Sequence, residues 1–287
     1  MKTGVAVTAS PVLLKNGGNI MAIGFIGNGN MGRAIISGIV EKKVAEPSNI
    51  MVYDIDTDGL NWTKEYYGVL TAKNNIELAE SSGILFLCVK PQFLYSVIEE
   101  IKDRVSENTV IVSIAAGQSI ESIENAFGKE IKLVRVMPNT PALVSEGMAA
   151  LAGNKNVTEN ELSEVLEIFK SLGKGEIVSE NLMDAVTAVS GSSPAYVFML
   201  IEAMADAAVM GGMPRKQAYT FAAQAVMGSA KMVLETHIHP AELKDMVCSP
   251  AGTTIDAVAA LERGGFRSSI IDAMTKCMEK SKELGNK

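Results

Sequence analysis

Short apolar runs alternate with longer polar stretches through the first half of the chain. Such runs suit strands that are buried on both faces, and the polar stretches have about the length that a crossover helix needs. The pattern predicts an α/β fold with an N-terminal Rossmann-type, doubly wound sheet. The predicted strands are Ala22 to Ile26, Ile50 to Tyr53, Ile84 to Val89, Val110 to Ile114 and Ile131 to Val136, with later strands at Met148 to Ala152 and Glu176 to Ser179.

The pattern changes after about Asn181, where long helical segments rich in Ala, Met and Gly replace the strand-like runs. The segment from Tyr196 to Met210 is apolar almost all round, so a helix there must be covered on most sides. Small side chains between Ala222 and Ala230 permit close contact between helices. We therefore expect an all-α dimerisation domain that joins two chains in a homodimer or a higher oligomer. The alternative is a monomeric helical cap whose Met-rich faces form only its own core.

Composition narrows the class of protein. The 33 acidic residues exceed the 26 basic ones, and the sequence contains no dense basic cluster with interleaved aromatics, so nucleic acid is not an expected partner. Apolar runs such as Ile84 to Val89 are far shorter than the roughly 18 residues that span a bilayer, so we expect no membrane association. The three cysteines form no C-x-x-C pair, which favours buried thiols and a cytoplasmic location.

A glycine-rich turn follows the first predicted strand and precedes a helix-like segment from Arg33 to Glu41. Its sequence, Gly27-Asn28-Gly29-Asn30-Met31-Gly32, has the G-x-G-x-x-G spacing of dinucleotide-binding folds. Gly27 would permit the tight turn, Gly29 would let the backbone approach a pyrophosphate, and Gly32 would let the helix pack close to the strand. The helix start would then hold the pyrophosphate anion. The alternative is an ordinary glycine turn.

Asp54 closes the second predicted strand, 22 positions beyond Gly32. An acidic side chain at this place accepts a hydrogen bond from the ribose 2′-hydroxyl, and it repels a 2′-phosphate. No Arg stands at the strand end to neutralise such a phosphate. Asp54 therefore favours NADH, although a surface-loop carboxylate and a rearranged loop that admits NADP(H) remain open alternatives.

Four further segments, read with Phe25 to Met31, carry a family resemblance. They occur in the order and spacing of the pyrroline-5-carboxylate reductases, and the resemblance runs from about Met21 to about Leu284. The segments are Leu87-Cys88-Val89-Lys90-Pro91-Gln92, Arg135-Val136-Met137-Pro138-Asn139-Thr140-Pro141-Ala142, Ser190-Gly191-Ser192-Ser193-Pro194-Ala195-Tyr196 and Leu243 to Thr254.

The resemblance implies an NAD(P)H-dependent oxidoreductase of the CH-NH group, an imine reductase that makes L-proline from 1-pyrroline-5-carboxylate in the last step of proline biosynthesis. It implies a Rossmann domain followed by a helical domain that intertwines with its twofold mate, with the imino acid bound at the junction. Ser249, Gly252, Thr253 and Thr254 would hold the substrate carboxylate, and the start of a helix from Ile255 to Leu261 suits that anion. The cofactor would contact the glycine turn together with Asp54, Asn75, Cys88, Val89, Lys90, Pro91, Ala115, Ala116, Met137, Pro138 and Asn139, and Asn139 would also contact substrate.

The expected domains follow from the resemblance and the hydrophobic pattern together. Residues 1–20 form a leader or extension, 21–180 the dinucleotide-binding domain, and 181–287 the helical dimerisation and substrate-binding domain. The first stretch faintly resembles a secretory signal, but Thr8, Ser10 and Pro11 interrupt it. A leader, a cloning remnant or an alternative start at Met21 is therefore the favoured interpretation.

Three positions depart from the commonest pattern of the resembled family. Ser193 and Ala251 stand where glycine is usual, so each adds a Cβ near a turn. Asp54 stands where many members carry residues suited to a phosphate. The first two changes remove no reactive group, whereas the third bears on cofactor choice.

Reduction of a protonated C=N bond requires little side-chain chemistry, because the iminium is already electrophilic and alignment carries most of the catalysis. By family position Thr254 is the candidate catalytic hydroxyl that supplies or keeps the proton on nitrogen, and a plain helix N-cap is its alternative role. His237 and His239 could ligate a metal, but a helix-ending pair without a third ligand is favoured.

Two other functions remain open from the sequence alone. A β-hydroxyacid-dehydrogenase-like oxidoreductase shares the plan of a Rossmann domain followed by helices. It would resemble other such enzymes in a catalytic Lys, and no Lys occurs between Lys174 and Lys216. A non-catalytic dinucleotide-binding protein would need neither Ser190 to Tyr196 nor Ser249 to Thr254.

Overall fold

The computed structural model of the chain describes residues 15–16, 19–20 and 22–285. Two short strands, β1 (Lys15–Asn16) and β2 (Asn19–Ile20), pair antiparallel in a small sheet of their own. Apart from these strands, the predicted leader or extension at residues 1–20 lies outside the described residues.

An eight-stranded sheet forms the body of the first half, with strand order β10-β9-β8-β7-β6-β3-β4-β5. The neighbouring pairs run parallel except β8 and β9, which run antiparallel. This confirms the predicted doubly wound sheet. The strands are β3 (Ile23–Ile26), β4 (Ile50–Tyr53), β5 (Leu70–Thr71), β6 (Ile84–Leu87), β7 (Val110–Ser113), β8 (Lys132–Met137), β9 (Gly147–Gly153) and β10 (Gly173–Ile177).

The sheet differs from the sequence prediction at three places. The last strand, β10, spans Gly173–Ile177 and so begins three residues before the predicted strand Glu176 to Ser179. The two-residue strand β5 was not predicted, because a run of two residues gives no periodic signal. Strand β9 reverses direction because only a short loop with one 3₁₀ turn, Thr140–Val144, joins it to β8. A parallel crossover needs a dozen or more residues, and this connection is shorter.

Helices cover both faces of this sheet, so two buried clusters lie on opposite sides of it. Alternate residues of one strand enter different clusters: Phe25 of β3 stacks on Phe86 of β6 at 4.6 Å on one face, while Ile26 points to the other. The helices are α1 (Asn30–Glu41), α2 (Thr57–Tyr67), α3 (Asn75–Ser81), α4 (Pro91–Ile101), α5 (Ile120–Phe127) and α6 (Glu159–Lys170).

The rest of the described chain is helical. A π-helical turn, Thr187–Gly191, lies between the short helix α7 (Met183–Val186) and α8. The remaining helices are α8 (Ser193–Met210), α9 (Arg215–Thr236), α10 (Pro240–Val247), α11 (Thr253–Arg263) and α12 (Phe266–Gly285).

By compactness the chain divides into two units. One comprises the residues up to Gly191 together with the chain from Cys277, and the other is Ser192–Lys276. Helix α12 begins in the second unit, and its last residues belong to the first. The predicted domain bounds, 21–180 and 181–287, stay a prediction.

Helices α8 and α9 pack on each other within the second unit, yet both leave large apolar side chains exposed. The stretch Glu180–Met210 is long and apolar enough, by length and composition, to cross a bilayer, and only 6% of its most apolar window is buried within one chain. The sequence prediction covers the second half of this stretch, Tyr196 to Met210, and not the first half, where small and polar residues interrupt the apolar pattern. An exposed apolar surface of this size marks a site of interaction with another surface, as the all-round apolar pattern predicted.

Candidate active site

A cleft of about 360 Å³ opens at the carboxyl ends of β3 and β6. The chain passes from β3 outward to β4 and β5, and then returns to β6 on the other side of β3. Open parallel sheets bind ligands at such a reversal of strand order. The cleft brings together seven of the predicted cofactor residues, namely Gly27, Gly29, Asp54, Asn75, Cys88, Val89 and Lys90.

The three motif glycines meet different surroundings. Gly27 has a φ of 103°, and a Cβ there would lie 2.7 Å from the carbonyl oxygen of Cys88. A Cβ on Gly32 would lie 2.6 Å from the carbonyl oxygen of Gly27, so the first turn of α1 packs directly against the loop. A Cβ on Gly29 would meet no atom within 4 Å. Gly29 therefore borders open space into which a ligand can approach the backbone.

Helix α1 begins at this open space. Its N-cap is Gly29, and no side chain caps the helix start. A helix start with free backbone N–H groups and the positive end of the helix dipole favours an anion. The sequence placed the helix from Arg33, three residues later than its observed start, because Asn30 and Gly32 are weak helix formers.

Asn28 and Asp54 brace the glycine turn. The Asn28 side chain is buried, donates to the Gly59 carbonyl oxygen at 2.9 Å and accepts from the Thr63 hydroxyl at 3.0 Å. The Asn28 backbone N–H donates to Asp54 Oδ2 at 2.5 Å, and the Asp56 N–H donates to Oδ1 at 2.9 Å. Asp54 is thus half-buried and hydrogen-bonded, and is not a solvated loop carboxylate.

Arg33 is a part of this region that the sequence reasoning missed. Its Nε donates to the Asn28 carbonyl oxygen at 2.8 Å, its guanidinium lies over the Trp62 ring at 5.6 Å, and it lies 3.8 Å from Asp56. Arg33 therefore links the glycine turn to helix α2, and its guanidinium lies near the Asp56 carboxylate.

Asn75 and Cys88 form part of the cleft wall. The oxygen Oδ1 of Asn75 is buried and has no hydrogen-bond partner, an arrangement that a donor group of a bound ligand would relieve. Burial raises the pKa of the Cys88 thiol well above its usual range, so this group stays protonated and unreactive at neutral pH. The open space at Gly29 and the unsatisfied acceptor of Asn75 both fit a dinucleotide.

Lys90 is the N-cap of α4, and Pro91 takes the first helical position. Lys90 therefore lies between the end of β6 and the start of α4, and it lines the cleft. The same helix contributes Phe93, Ser96 and Val97 to the cleft, which the sequence reasoning missed. Their i, i+3, i+4 spacing on one helix face is the signal that could have identified them.

The other predicted cofactor residues lie outside the volume of this cleft. The first turn of α1 contains Asn30, Met31 and Gly32, and none of these residues lines the cleft. Ala115 and Ala116 follow β7, whereas Met137 and Pro138 close and follow β8. Because β7 and β8 are parallel to β6, these residues lie along the same carboxyl-terminal edge of the sheet as the cleft.

The Asn139 side chain forms two hydrogen bonds at the carboxyl-terminal edge of the sheet. Its Oδ1 accepts from the Met148 backbone N–H at 2.8 Å, and its Nδ2 donates to the Ser190 carbonyl oxygen at 3.0 Å. Ser190 lies in the π-helical turn, a distortion that is frequent at functional sites. Asn139 therefore connects the start of β9 with the segment that leads into α8, whatever it contacts in a ligand.

In the second unit, four of the predicted substrate residues lie at or just before the start of α11, namely Ser249, Gly252, Thr253 and Thr254. Gly252 is the N-cap, and the first helical residues are Thr253 and Thr254. The alternative role of Thr254 as N-cap is wrong, because the helix begins one residue before it and no side chain caps the start. A Cβ on Gly252 would lie 2.2 Å from the Ser249 hydroxyl oxygen, so a larger residue there would require the Ser249 side chain to move. Ala251 has a φ of 57°, the left-handed conformation that explains why glycine is usual at this position.

The two histidines end and begin helices, as the favoured interpretation predicted. His237 is the C-cap of α9, and Nδ1 of the N-cap residue His239 accepts from the Ala241 N–H at 3.2 Å. Within residues 22–285, no group of three or more His, Cys, Asp or Glu side chains is placed to hold a metal ion.

Comparison with known proteins shows similarity over more than nine tenths of the chain. Residues 180–284 match the pyrroline-5-carboxylate reductase dimerisation family, and residues 22–117 match the family described as NADP oxidoreductase coenzyme F420-dependent. The pyrroline-5-carboxylate reductase of Escherichia coli is 52% identical over 91% of this chain and 97% of its own length. The structure of the Coxiella burnetii reductase is 36% identical with a TM-score of 0.87, covering 93% of this chain and 99% of that one. The NADP-bound Plasmodium falciparum reductase is 35% identical with a TM-score of 0.85, covering 92% and 98%. The chain belongs to the pyrroline-5-carboxylate reductase family.

Proposed function

We propose that this chain reduces 1-pyrroline-5-carboxylate to L-proline with NAD(P)H. The observation that carries this proposal is the cleft at the reversal of strand order, where Gly29 borders open space at the start of α1. Similarity to reductases over almost the full length of both chains supports the substrate assignment. It also favours this reaction over a β-hydroxyacid dehydrogenase.

The cofactor would lie across the β3–α1 turn, and when bound it supplies the hydride that adds to the imine carbon. Helix α1 and Gly29 would hold the pyrophosphate, while Asp54 and Asn75 would hold the adenosine ribose. The start of α11 offers backbone N–H groups to the substrate carboxylate, with Ser249 beside it. Orientation of the imine by these groups supplies most of the catalysis, because an iminium needs little further activation.

Thr254 would be the catalytic residue that keeps the proton on the imine nitrogen. We expect Thr254→Val to lower kcat about 10- to 100-fold, since it removes the hydroxyl but preserves the shape. Thr254→Ser should stay within about threefold of the wild type, because it retains the hydroxyl. Steady-state kinetics with saturating cofactor measure both. An unchanged kcat in Thr254→Val would assign Thr254 a purely structural role.

Cofactor choice follows from Asp54. We expect kcat/KM for NADH to exceed that for NADPH, because the Asp54 carboxylate repels a 2′-phosphate. Asp54→Asn keeps the size and one acceptor toward the Asn28 N–H, and it should shift the NADH-to-NADPH ratio about tenfold toward NADPH. A clear preference of the wild type for NADPH would show the prediction from Asp54 to be wrong.

The direct test of the reaction is an assay that follows the loss of dihydronicotinamide absorbance with pyrroline-5-carboxylate and either cofactor. Consumption of cofactor with formation of L-proline is the expected result. Tight binding of NADH or NADPH without turnover would instead favour the non-catalytic dinucleotide-binding alternative.

The homodimer through the C-terminal helices belongs to the same proposal. The match to a dimerisation family over residues 180–284 and the exposed apolar side chains of α8 and α9 support it. The proposal includes a cytoplasmic location, which three widely spaced cysteines without a C-x-x-C pair favour.

A further inference from the structure

The orientation of the Asn75 amide is fixed by a residue outside the cleft. Asn75 is the first residue of α3, and the preceding Asn74 caps the helix by accepting from the Glu77 N–H. The Asn75 side chain is therefore not needed as a cap. Its Nδ2 donates to Glu100 Oε2 at 2.7 Å, whereas its Oδ1 is buried without a partner.

Glu100 permits only one orientation of this amide. An ionised carboxylate only accepts hydrogen bonds, so the Asn75 Nδ2 must face it. The reversed amide would bring its oxygen against the carboxylate and lose the hydrogen bond. Glu100 lies near the end of α4, seven residues after Phe93 and on the same helix face as the side chains that α4 contributes to the cleft.

The fixed amide has a consequence for the ligand. Glu100 engages one of the two N–H groups of Nδ2, and Oδ1 is the unpartnered acceptor of the Asn75 amide, while Asp54 in the same cleft is also an acceptor. Asp54 and Asn75 together suit the two hydroxyl donors of a ribose. The 2′-hydroxyl would donate to Asp54, which leaves the 3′-hydroxyl to donate to Asn75.

We propose that Glu100 is a positioning residue for cofactor binding, which holds the Asn75 amide so that its oxygen accepts from the 3′-hydroxyl of the adenosine ribose. This inference rests on the proposed binding of a nicotinamide dinucleotide in the cleft. Glu100 itself touches neither cofactor nor substrate, and it acts through Asn75 alone.

Titration calorimetry of the full-length protein with NADH and with NADPH provides the test. Glu100→Gln frees the amide to turn, because glutamine can donate as well as accept. It should weaken the binding of NADH and of NADPH about fivefold each, the effect of losing one neutral hydrogen bond, because both cofactors carry the 3′-hydroxyl. In steady-state assays the KM for NADH should rise by the same factor while kcat stays constant.

Glu99→Gln is the matched control. It removes the same charge one residue earlier on α4, where Glu99 is paired with Lys102, and it should leave both affinities unchanged. The double variant Asn75→Ala/Glu100→Gln should bind NADH as Asn75→Ala alone does, since the positioning residue then has nothing to position.

Unchanged affinity for both cofactors in Glu100→Gln, or its full effect on the Asn75→Ala background, would overturn the inference. Failure of the proposed function has a different signature. In that case the wild-type protein would bind NADH with the predicted dependence on Glu100 and Asn75, and it would not consume the imino acid.

Discussion

Gly27→Ala is expected to lower the free energy of unfolding by about 3 kcal/mol and to abolish cofactor binding. The φ of 103° is unfavourable for alanine, and the added methyl would lie 2.7 Å from the backbone oxygen of Cys88, which cannot move without displacing β6. Denaturant unfolding measures the loss. Gly128→Ala is the control, because its φ of 64° is also positive while no atom lies within 4 Å of the added methyl. It should lose only about 1 kcal/mol.

Gly29→Ala separates binding from stability. The φ of Gly29 is −72°, and a methyl there meets no protein atom within 4 Å, so we expect the variant to fold with unchanged stability. The same methyl would occupy the approach of the pyrophosphate to the start of α1, and the dissociation constant for NADH should rise about 100-fold or more. A Gly29→Ala variant that binds NADH normally would place the pyrophosphate elsewhere.

A large effect is also expected at the exposed apolar surface of helices α8 and α9. Phe221 of α9 is 65% exposed in the single chain, and we expect Phe221→Glu to turn the homodimer into monomers. Burial of an unpaired carboxylate costs about 3 kcal/mol or more, which corresponds to a rise of at least about 100-fold in the dimer dissociation constant. Sedimentation analysis measures this change, and reductase activity should fall with it.

Tyr66→Glu provides the control for the helix surface. Tyr66 is 67% exposed on α2, in the unit outside the dimerisation match, so the same kind of substitution should leave the dimer intact. Dissociation by Tyr66→Glu, or a dimer that survives Phe221→Glu at all concentrations, would contradict an interface formed by the C-terminal helices.

Much of the sheet was predictable because its strands are buried on both faces and therefore read as continuous apolar runs. The glycine turn was predictable because its spacing and its place between a strand and a helix reflect one backbone geometry. The reversed strand β9 was not, since the direction of a strand leaves no periodic trace in the sequence. The need to cover Tyr196 to Met210 was predictable from its all-round apolar pattern, whereas the longer apolar stretch Glu180–Met210 was not, because small and polar residues interrupt its first half.

Within the candidate site, motif residues were easier to predict than their supports. Gly27, Gly29 and Asp54 could be assigned from position along the chain. The supports are hydrogen bonds between residues that are separated along the chain. Asn139 bonds to Met148 and to Ser190, and Asn75 bonds to Glu100. Such pairs carry no local signal. The sequence predicted a helix from Ile255, and α11 begins two residues earlier, at Thr253. Its cap is Gly252, because a helix can begin at a glycine without any side-chain cap.

A crystal structure of the assembled protein with L-proline and oxidised cofactor is the most direct measurement. We predict the cofactor across the β3–α1 turn, and the proline carboxylate on the backbone N–H groups at Gly252 to Thr254. A ring carbon of proline should then lie about 3.5 Å from C4 of the nicotinamide. Proline bound away from that helix start in every subunit, or a cofactor outside the cleft beside Gly29, would contradict the assignment of this chain as an imine reductase.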